Sequence, residues 1–252
     1  MAHNCKTLAL LNEPGPPKLL VSLPGNDPDL AKAARDGGAA ALKVHLNITH
    51  AAAGLHFGTL AEEAAAIETI LALGLPVGIV PGDAGAMVTP GELTQLAAMG
   101  IDFCDVYLGA MPAWMLSAPP LAMMAAVGSA DFLHAERLRS LGELASVAMV
   151  EASLVAHDGY GAPLSVADLC DYTTVTRLIG PSRPVIVPTQ RRILPDDLPA
   201  LAATGIRGLL IGAIVTGKSC TAIEAATRRY AEALGQISGD HCIPRHQRGE
   251  RL

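Results

Sequence analysis

The sequence is poor in aromatic residues, in clustered positive charge and in paired cysteines. Only 3% of its 252 residues are Phe, Trp or Tyr, whereas 50% are hydrophobic, so small and aliphatic side chains must fill the core. The formal net charge is −6, and no dense basic run precedes the C-terminal tail. This charge balance disfavours a nucleic-acid partner. A core of small residues is typical of an α/β scaffold built from many packed repeats.

The cysteines and the apolar runs argue against secretion and against membrane insertion. Five scattered cysteines form no CxxC pair, and their odd number favours reduced thiols in a cytoplasmic protein over a disulfide framework. The apolar patch Thr7–Leu11 is too short for a signal peptide. The most apolar stretch, Ala110–Val127, contains Pro112, Pro119 and Pro120, which would break a spanning helix. We expect a short helix followed by a buried strand there, and no membrane partner.

Short apolar runs alternate with helical segments along the chain, and this alternation indicates βα units with a parallel sheet. Eight such units without a linker predict a single (β/α)8 TIM barrel, and an open doubly wound sheet is the alternative. We expect an N-terminal extension over residues 1–17, the barrel over residues 18–237 and a polar tail over residues 238–252. The predicted strands are Leu19–Leu23, Ala40–Leu46, Val77–Val80, Phe103–Leu108, Leu121–Val127, Val147–Glu151, Pro184–Val187 and Gly208–Ile211. The clearest predicted helices are Asp29–Asp36, Thr59–Leu73, Glu92–Met99, Phe132–Leu141, Val166–Ile179, Asp196–Thr204 and Thr221–Leu234.

The second strand carries polar residues on one face. Its alternation sets Lys43, His45 and Asn47 opposite an apolar face that suits the helix layer. The polar face must therefore point into the barrel, where a lysine is costly unless it is paired or functional. Barrel enzymes place their catalytic groups at the C-terminal ends of strands, so Lys43 and His45 are candidate catalytic residues and Asn47 a candidate substrate ligand.

Three carboxylates could orient Lys43 or transfer protons beside it. Asp105 lies in strand four and shares a face with Tyr107, while Glu151 closes strand six. Asp83 follows strand three directly and could equally be a turn residue after Gly82. At this point Asp105 and Glu151 are as compatible with a structural ion pair as with catalysis.

The loop after strand two, residues 47–58, is rich in small residues and resembles a movable lid. His56 in this loop could reach a substrate or could be an ordinary surface histidine. His45, His50, His56 and Asp83 could alternatively bind a divalent metal, but their spacing matches no tight metal motif. We predict neither a metal site nor a cofactor.

Residues 212–219, GAIVTGKS, match the G-x-x-x-x-G-K-[ST] pattern of a nucleotide-binding P-loop. A P-loop domain needs further strands after this motif, and only one helix and a polar tail remain, so we reject this interpretation. At the end of strand eight, Gly212 and Ala213 can instead offer backbone N–H groups to a phosphate. Gln190 and Arg191 after strand seven complete the predicted phosphate site.

Five segments together resemble the ribulose-phosphate-binding barrel superfamily, and among its members the N-acetylmannosamine-6-phosphate 2-epimerases are the most similar. The segments are VSLPG, GGAAALKVH, LPVGIVPGD, RPVIVPTQRRI and IRGLLIGAIVTG, in that order. The resemblance implies a phosphate site at Gly212, Ala213 and the loop around Gln190. Those epimerases carry a catalytic lysine after strand three and a catalytic glutamate after strand seven, where this chain has Pro81 and Pro188. The resemblance therefore extends to the phosphate site and not to the reaction.

Three functions follow from these residues. The first is an enzyme that isomerises or epimerises a small phosphorylated sugar or related carbonyl compound by proton transfer next to the carbonyl. The second is an aldolase or lyase in which Lys43 forms a Schiff base. The third is a phosphometabolite-binding barrel without turnover. The sequence is also compatible with a homo-oligomer and does not identify the substrate.

Overall fold

The computed structural model describes residues 4–50, 54–117 and 119–237, which contain a closed barrel of eight parallel strands. Each strand pairs with its sequence neighbours, and β1 closes the barrel by pairing with β8, so that Lys18 lies opposite Gly208. The TIM-barrel prediction is confirmed. The strands are β1 Lys18–Ser22, β2 Ala41–His45, β3 Val77–Val80, β4 Phe103–Tyr107, β5 Ala122–Gly128, β6 Val147–Ser153, β7 Val185–Pro188 and β8 Gly208–Ile211.

Ten α-helices lie in the described residues, and most of them follow the strands on the outside of the barrel. They are α1 Lys6–Asn12, α2 Pro28–Asp36, α3 Leu60–Leu71, α4 Pro90–Met99, α5 Ser129–Phe132, α6 Ala135–Glu143, α7 Val166–Ile179, α8 Leu198–Ala202, α9 Ala213–Thr216 and α10 Cys220–Gly235. Short 3-10 helices occur at Ala113–Leu116, His157–Gly159 and Pro195–Asp197. The first of these, followed by β5, agrees with the short helix and buried strand expected in the proline-containing apolar stretch.

The prediction of one continuous helix over Phe132–Leu141 is wrong. The chain forms two helices there, α5 and α6, with a break between them. The Asp131 carboxylate accepts the backbone N–H of Gly128 at 3.2 Å and pairs with Arg137 at 2.9 Å. At His134 the backbone leaves the helical conformation, with φ −117° and ψ 80°. The hydrogen bonds of Asp131 and the non-helical backbone at His134 therefore separate the single turn of α5 from α6.

Apolar side chains fill the lower part of the barrel, near the N-terminal ends of the strands. This lower layer consists of Leu20, Ala41, Phe103, Ala122, Met124, Met149, Ile186 and Leu210. The ring of Phe103 occupies the space beside Gly78, where a Cβ atom would lie 2.0 Å from the ring. Glycine at this position thus lets one aromatic residue fill the interior of a barrel that has few aromatics.

Helix α1 packs against the lower layer through Leu11, which is fully buried. Asp102 holds the start of this helix, because its carboxylate accepts the backbone N–H groups of Lys6 and Thr7, each at 2.8 Å. At the other end, Arg207 donates to the carbonyl of Leu11 at 2.9 Å. The N-terminal end of the barrel is therefore covered by the chain itself. The predicted polar tail, residues 238–252, lies outside the described residues.

Within the part of the chain that the structure describes, none of the helices has both the length and the apolar character that crossing a bilayer requires.

Candidate active site

A cavity of about 260 Å³ opens at the C-terminal ends of the strands. Seven of the eight strands line the cavity with one of their last two residues, and β5 lines it with Ala126, the third residue from its end. Gly212, just after β8, also lines the cavity. The lining from the strands is Ser22, Lys43, His45, Val80, Asp105, Tyr107, Ala126, Glu151, Ser153, Pro188 and Leu210. Polar side chains gather at this end of the barrel, whereas the lower layer is apolar. The alternation of β2 correctly predicts that Lys43 and His45 face inward.

Lys43 bridges two buried carboxylates at the floor of the cavity. Its Nζ lies 2.7 Å from Asp105 Oδ2 and 2.5 Å from Glu151 Oε2. The hydroxyl of Ser153 donates to the second carboxylate oxygen, Glu151 Oε1, at 2.5 Å. Burying each of these charges without a partner would cost free energy of folding. Strands β2, β4 and β6 offset this cost because they bring oppositely charged side chains into contact at the same level of the barrel.

The cluster holds one cation against two carboxyl groups, and this imbalance separates their pKa values. Burial and the neighbouring Glu151 charge raise the pKa of Asp105 to about 8, against the opposing effect of Lys43. Burial would also raise the pKa of Glu151, but the Lys43 charge and the hydrogen bonds from Lys43 and Ser153 hold it below its usual value. Burial would lower the pKa of Lys43, but the two carboxylates raise it above its usual value. Lys43 is therefore an ammonium ion at neutral pH.

His45 lies above this cluster on the same face of β2. Its Nε2 is 3.4 Å from the hydroxyl of Ser22, and its ring packs against Phe57 with the ring centroids 4.7 Å apart. The side chain of Asn26 clamps its backbone from both sides, accepting from the His45 N–H at 3.1 Å and donating to its carbonyl at 2.7 Å. His45 is thus a held, buried imidazole on the cavity wall.

The remaining predicted residues near β2 and β3 differ in their positions. Asp83 lines the cavity, and its Oδ1 also accepts the N–H of Gly85 at 2.8 Å within a short hairpin. Asn47 is not part of the cavity lining, because its side chain donates to the carbonyl of Pro81 at 3.1 Å. His56 is exposed on the hairpin after β2, where its Nδ1 lies 3.2 Å from the Thr49 hydroxyl.

Gln190 lines the cavity, but its side chain already has partners in the loop after β6. Its Oε1 accepts the N–H of Val155 at 3.1 Å, and its Nε2 donates to the hydroxyl of Tyr160 at 2.9 Å. Arg191 is outside the cavity lining and is held by the Asp168 carboxylate at 3.0 Å and the Gly159 carbonyl at 2.9 Å. Both side chains, as placed here, fasten the β6 loop to the β7 loop.

The segment that matches a P-loop pattern begins directly after β8 and contains α9. Gly212 and Ala213 line the cavity, as expected for the end of β8. The Gly212 N–H donates to the hydroxyl of Thr189 at 3.0 Å. The closed barrel agrees with the rejection of a nucleotide-binding P-loop, since the motif belongs to its last βα unit.

The described residues contain no group of three or more His, Cys, Asp or Glu side chains arranged to hold a metal ion. The side chain of His50, one member of the alternative metal set, lies outside the described residues.

Several cavity residues escaped the sequence reasoning, namely Ser22, Ser153, His157, Tyr160 and Thr189. Ser153 could have been found, because it follows Glu151 at the period-two spacing of a strand that runs two residues further than predicted. His157 and Tyr160 pack edge to face, with ring centroids 5.2 Å apart, on a loop without periodicity. No local signal identifies such loop residues.

The sequence matches no protein-family model and none of the curated proteins. Solved structures of the same fold do match. Tryptophan synthase from M. tuberculosis is 18% identical, with a TM-score of 0.64 over 93% of this chain and 99% of that chain. 3-Hexulose-6-phosphate synthase from Salmonella typhimurium is 18% identical, with a TM-score of 0.59 over 87% of this chain and 99% of that chain. KGPDC from Streptococcus mutans is 14% identical, with a TM-score of 0.58 over 88% of this chain and 99% of that chain.

These similarities show the fold, namely a TIM barrel. At such identities the chemistry of a site must be argued from its own residues.

Proposed function

We propose that this protein is a cytoplasmic isomerase or epimerase that moves a proton next to the carbonyl of a small phosphorylated sugar or related compound. The observation that carries this proposal is Lys43 held between two carboxyl groups at the floor of the cavity. A fixed ammonium ion can stabilise the negative charge of an enediolate, and a carboxyl group of raised pKa beside it can exchange a proton. The four unpaired cysteines of the described residues are in keeping with a reducing compartment.

The charge state of Lys43 decides between this proposal and Schiff-base chemistry. A lysine that forms a Schiff base must be an uncharged amine, which burial in apolar surroundings favours. Here Asp105 and Glu151 hold Lys43 charged instead. The geometry therefore favours proton transfer over an aldolase or lyase reaction.

A phosphate group would lie at the β8 side of the cavity. Helix geometry leaves the first N–H groups of α9 without intrahelical partners, and Ala213 lines the cavity there beside Gly212. The name of 3-hexulose-6-phosphate synthase, a structural relative, supports a phosphorylated ligand. Gln190 and Arg191 would join such a site only by leaving their present partners. The likeness to N-acetylmannosamine-6-phosphate 2-epimerases contributes this phosphate site to the proposal, and Pro81 and Pro188 exclude transfer of those enzymes' catalytic pair.

Deuterium exchange tests the proposal. The full chain is incubated in D₂O with a panel of aldose and ketose phosphates, and NMR follows deuterium entering the carbon next to the carbonyl. We expect exchange with at least one compound, and we expect Lys43→Met to abolish it. Lys32→Met, which replaces an exposed lysine of α2, should exchange like the unmodified protein. Borohydride trapping of a covalent adduct on Lys43 would instead support the lyase. Thermal stabilisation by a sugar phosphate without exchange or product would leave a binding protein without turnover.

A further inference from the structure

The two carboxyl groups beside Lys43 are not equivalent in their hydrogen bonds. Both oxygens of Glu151 accept from donors, Oε2 from Lys43 at 2.5 Å and Oε1 from Ser153 at 2.5 Å. Only one oxygen of Asp105 does so, Oδ2 from Lys43 at 2.7 Å. Its other oxygen, Oδ1, is shielded from water and receives no hydrogen bond from any N–H or O–H group of the described residues. Hydrogen bonds to a carboxylate favour its ionised form, so the difference favours ionised Glu151 and protonated Asp105.

We propose that Asp105 is the residue that gains and loses the exchangeable proton of this site, while Glu151 stays ionised and acts as a positioning residue for Lys43. The charge count supports one such proton, because a single ammonium ion neutralises only one of two buried carboxylates. Asp105 is 2% exposed and lines the cavity with Lys43. A ligand would therefore meet Asp105 and Lys43 from the cavity side.

Lys43 and Glu151 are the main charged neighbours of Asp105. Lys43 faces it from β2 and Glu151 from β6. On the strands directly beside β4, the inward residues are Gly78 and Val80 of β3 and Met124 and Ala126 of β5, none of which titrates. The other titratable residues around the cavity are His45, Asp83, Tyr107, His157 and Tyr160. The raised pKa of Asp105 and the lowered pKa of Glu151 agree with the assignment from geometry.

The role of Asp105 in a reaction rests on the proposed function. Asp105 acts as the base once it has released its resting proton: it takes the proton from the carbon next to the carbonyl, and the C–H electron pair forms the C=C bond of an enediolate. The carbonyl π pair moves to the oxygen, whose charge Lys43 stabilises. The protonated Asp105 then gives a proton to the neighbouring carbon, while the enediol hydroxyl proton passes to the oxygen of the former carbonyl and the O–H pair forms the new C=O bond, which gives isomerisation. Epimerisation needs the enediolate to turn over in the cavity before the proton returns to the opposite face of the first carbon. No further reactant is needed, and exchange of the Asp105 proton with solvent between the two transfers is the step that carries deuterium into the carbon.

Carboxyl-selective NMR of the full chain tests the assignment without any substrate. One sample carries carbon-13 in the side-chain carboxyl of all aspartates, the other in that of all glutamates, and both are titrated from pH 5 to 10. We expect one aspartate to titrate near pH 8 and to be missing from the spectrum of Asp105→Asn, and we expect it to remain in Asp83→Asn. The Glu151 signal, identified by its loss in Glu151→Gln, should show no titration step near pH 8.

Two results would overturn the assignment: a glutamate that titrates near pH 8 and is lost in Glu151→Gln, or the absence of any carboxyl group that titrates above pH 6. Because aspartates and glutamates are labelled in separate samples, the unmodified protein alone shows whether the group that titrates near pH 8 is an aspartate or a glutamate, and only its assignment to one residue needs a variant that folds. If Asp105 titrates near pH 8 but no sugar phosphate takes up deuterium, the assignment of the exchangeable proton to Asp105 stands and the proposed function is rejected.

Discussion

Replacing Lys43 by methionine should convert the floor of the cavity from a balanced cluster into a buried excess of negative charge. The side chain of Lys43 is 7% exposed, and those of its partners Asp105 and Glu151 are 3% and 6% exposed, so water cannot take over its role. Removing one partner of a buried ion pair costs about 3–5 kcal/mol, because the remaining charge is left unpaired. We expect Lys43→Met to lose about this much free energy of unfolding at pH 9.

The same substitution should cost less in acid. Without the ammonium ion, burial raises the pKa of both carboxyl groups above their unfolded values of about 4. A carboxyl group with a raised pKa destabilises the folded protein increasingly as the pH rises from its unfolded pKa through its folded pKa. The deficit of Lys43→Met relative to the unmodified protein should therefore be smallest near pH 5 and grow toward pH 9.

Urea unfolding followed by circular dichroism at pH 5, 7 and 9 measures this deficit. Lys32→Met is the matched control, because that lysine is 57% exposed and its ion pair with Asp36 contributes about 0–1 kcal/mol. Adding Glu151→Gln to Lys43→Met should recover part of the loss, since a single remaining carboxyl group can stay protonated. A deficit below about 1 kcal/mol at pH 9, or one that is the same at every pH, would refute the electrostatic reasoning.

Three further predictions concern the site and its support. Asp105→Asn removes a group whose pKa burial and the Glu151 charge raise to about 8 in the folded protein, so the variant should gain stability relative to the unmodified protein as the pH rises from about 4 through 8 and gain no more above; an unchanging difference in urea unfolding would contradict this. Arg191→Lys cannot reproduce the contacts with Asp168 and the β6 loop, so amide hydrogen exchange should quicken in residues 154–163, and unchanged protection would mean that this arginine does not fasten the loop. Gly78→Ala should cost about 1–3 kcal/mol in thermal unfolding because its Cβ would overlap an aromatic ring at 2.0 Å, whereas Gly91→Ala in α4, with no atom closer than 3.9 Å, should be neutral or stabilising.

The sequence was sufficient for the fold and for the face of β2 that bears the lysine. Period-two alternation decides which way Lys43 points, and a local pattern of this kind survives in the folded barrel. The sequence offered three carboxylates as partners of Lys43, and the two near the C-terminal ends of β4 and β6, Asp105 and Glu151, contact it, whereas the third, Asp83, accepts a hydrogen bond within its own turn.

The roles of loop residues could not be derived in the same way. Arg191 is paired with Asp168, 23 residues earlier, and Gln190 with Tyr160, 30 residues earlier. Such contacts depend on how two loops meet in space, and no periodic pattern encodes them. The Ser153 hydrogen bond to Glu151 lies within one strand, but the unpaired state of Asp105 Oδ1 is tertiary, because it depends on which groups of other strands reach that oxygen.

The closure of the barrel between β1 and β8 has a consequence for biosynthesis. The partner of Lys18 in the sheet is Gly208, and Leu11 of the covering helix accepts a hydrogen bond from Arg207. While the ribosome makes the chain between β1 and β8, the edge of β1 that will pair with β8 has no hydrogen-bond partner. The lower layer also stays uncovered next to that edge. Contacts of such long sequence separation form slowly, and an unpaired strand edge is open to association with other chains. Newly made protein should thus be most prone to aggregation until the last strand emerges, and a chaperone that binds extended apolar segments would act before that point.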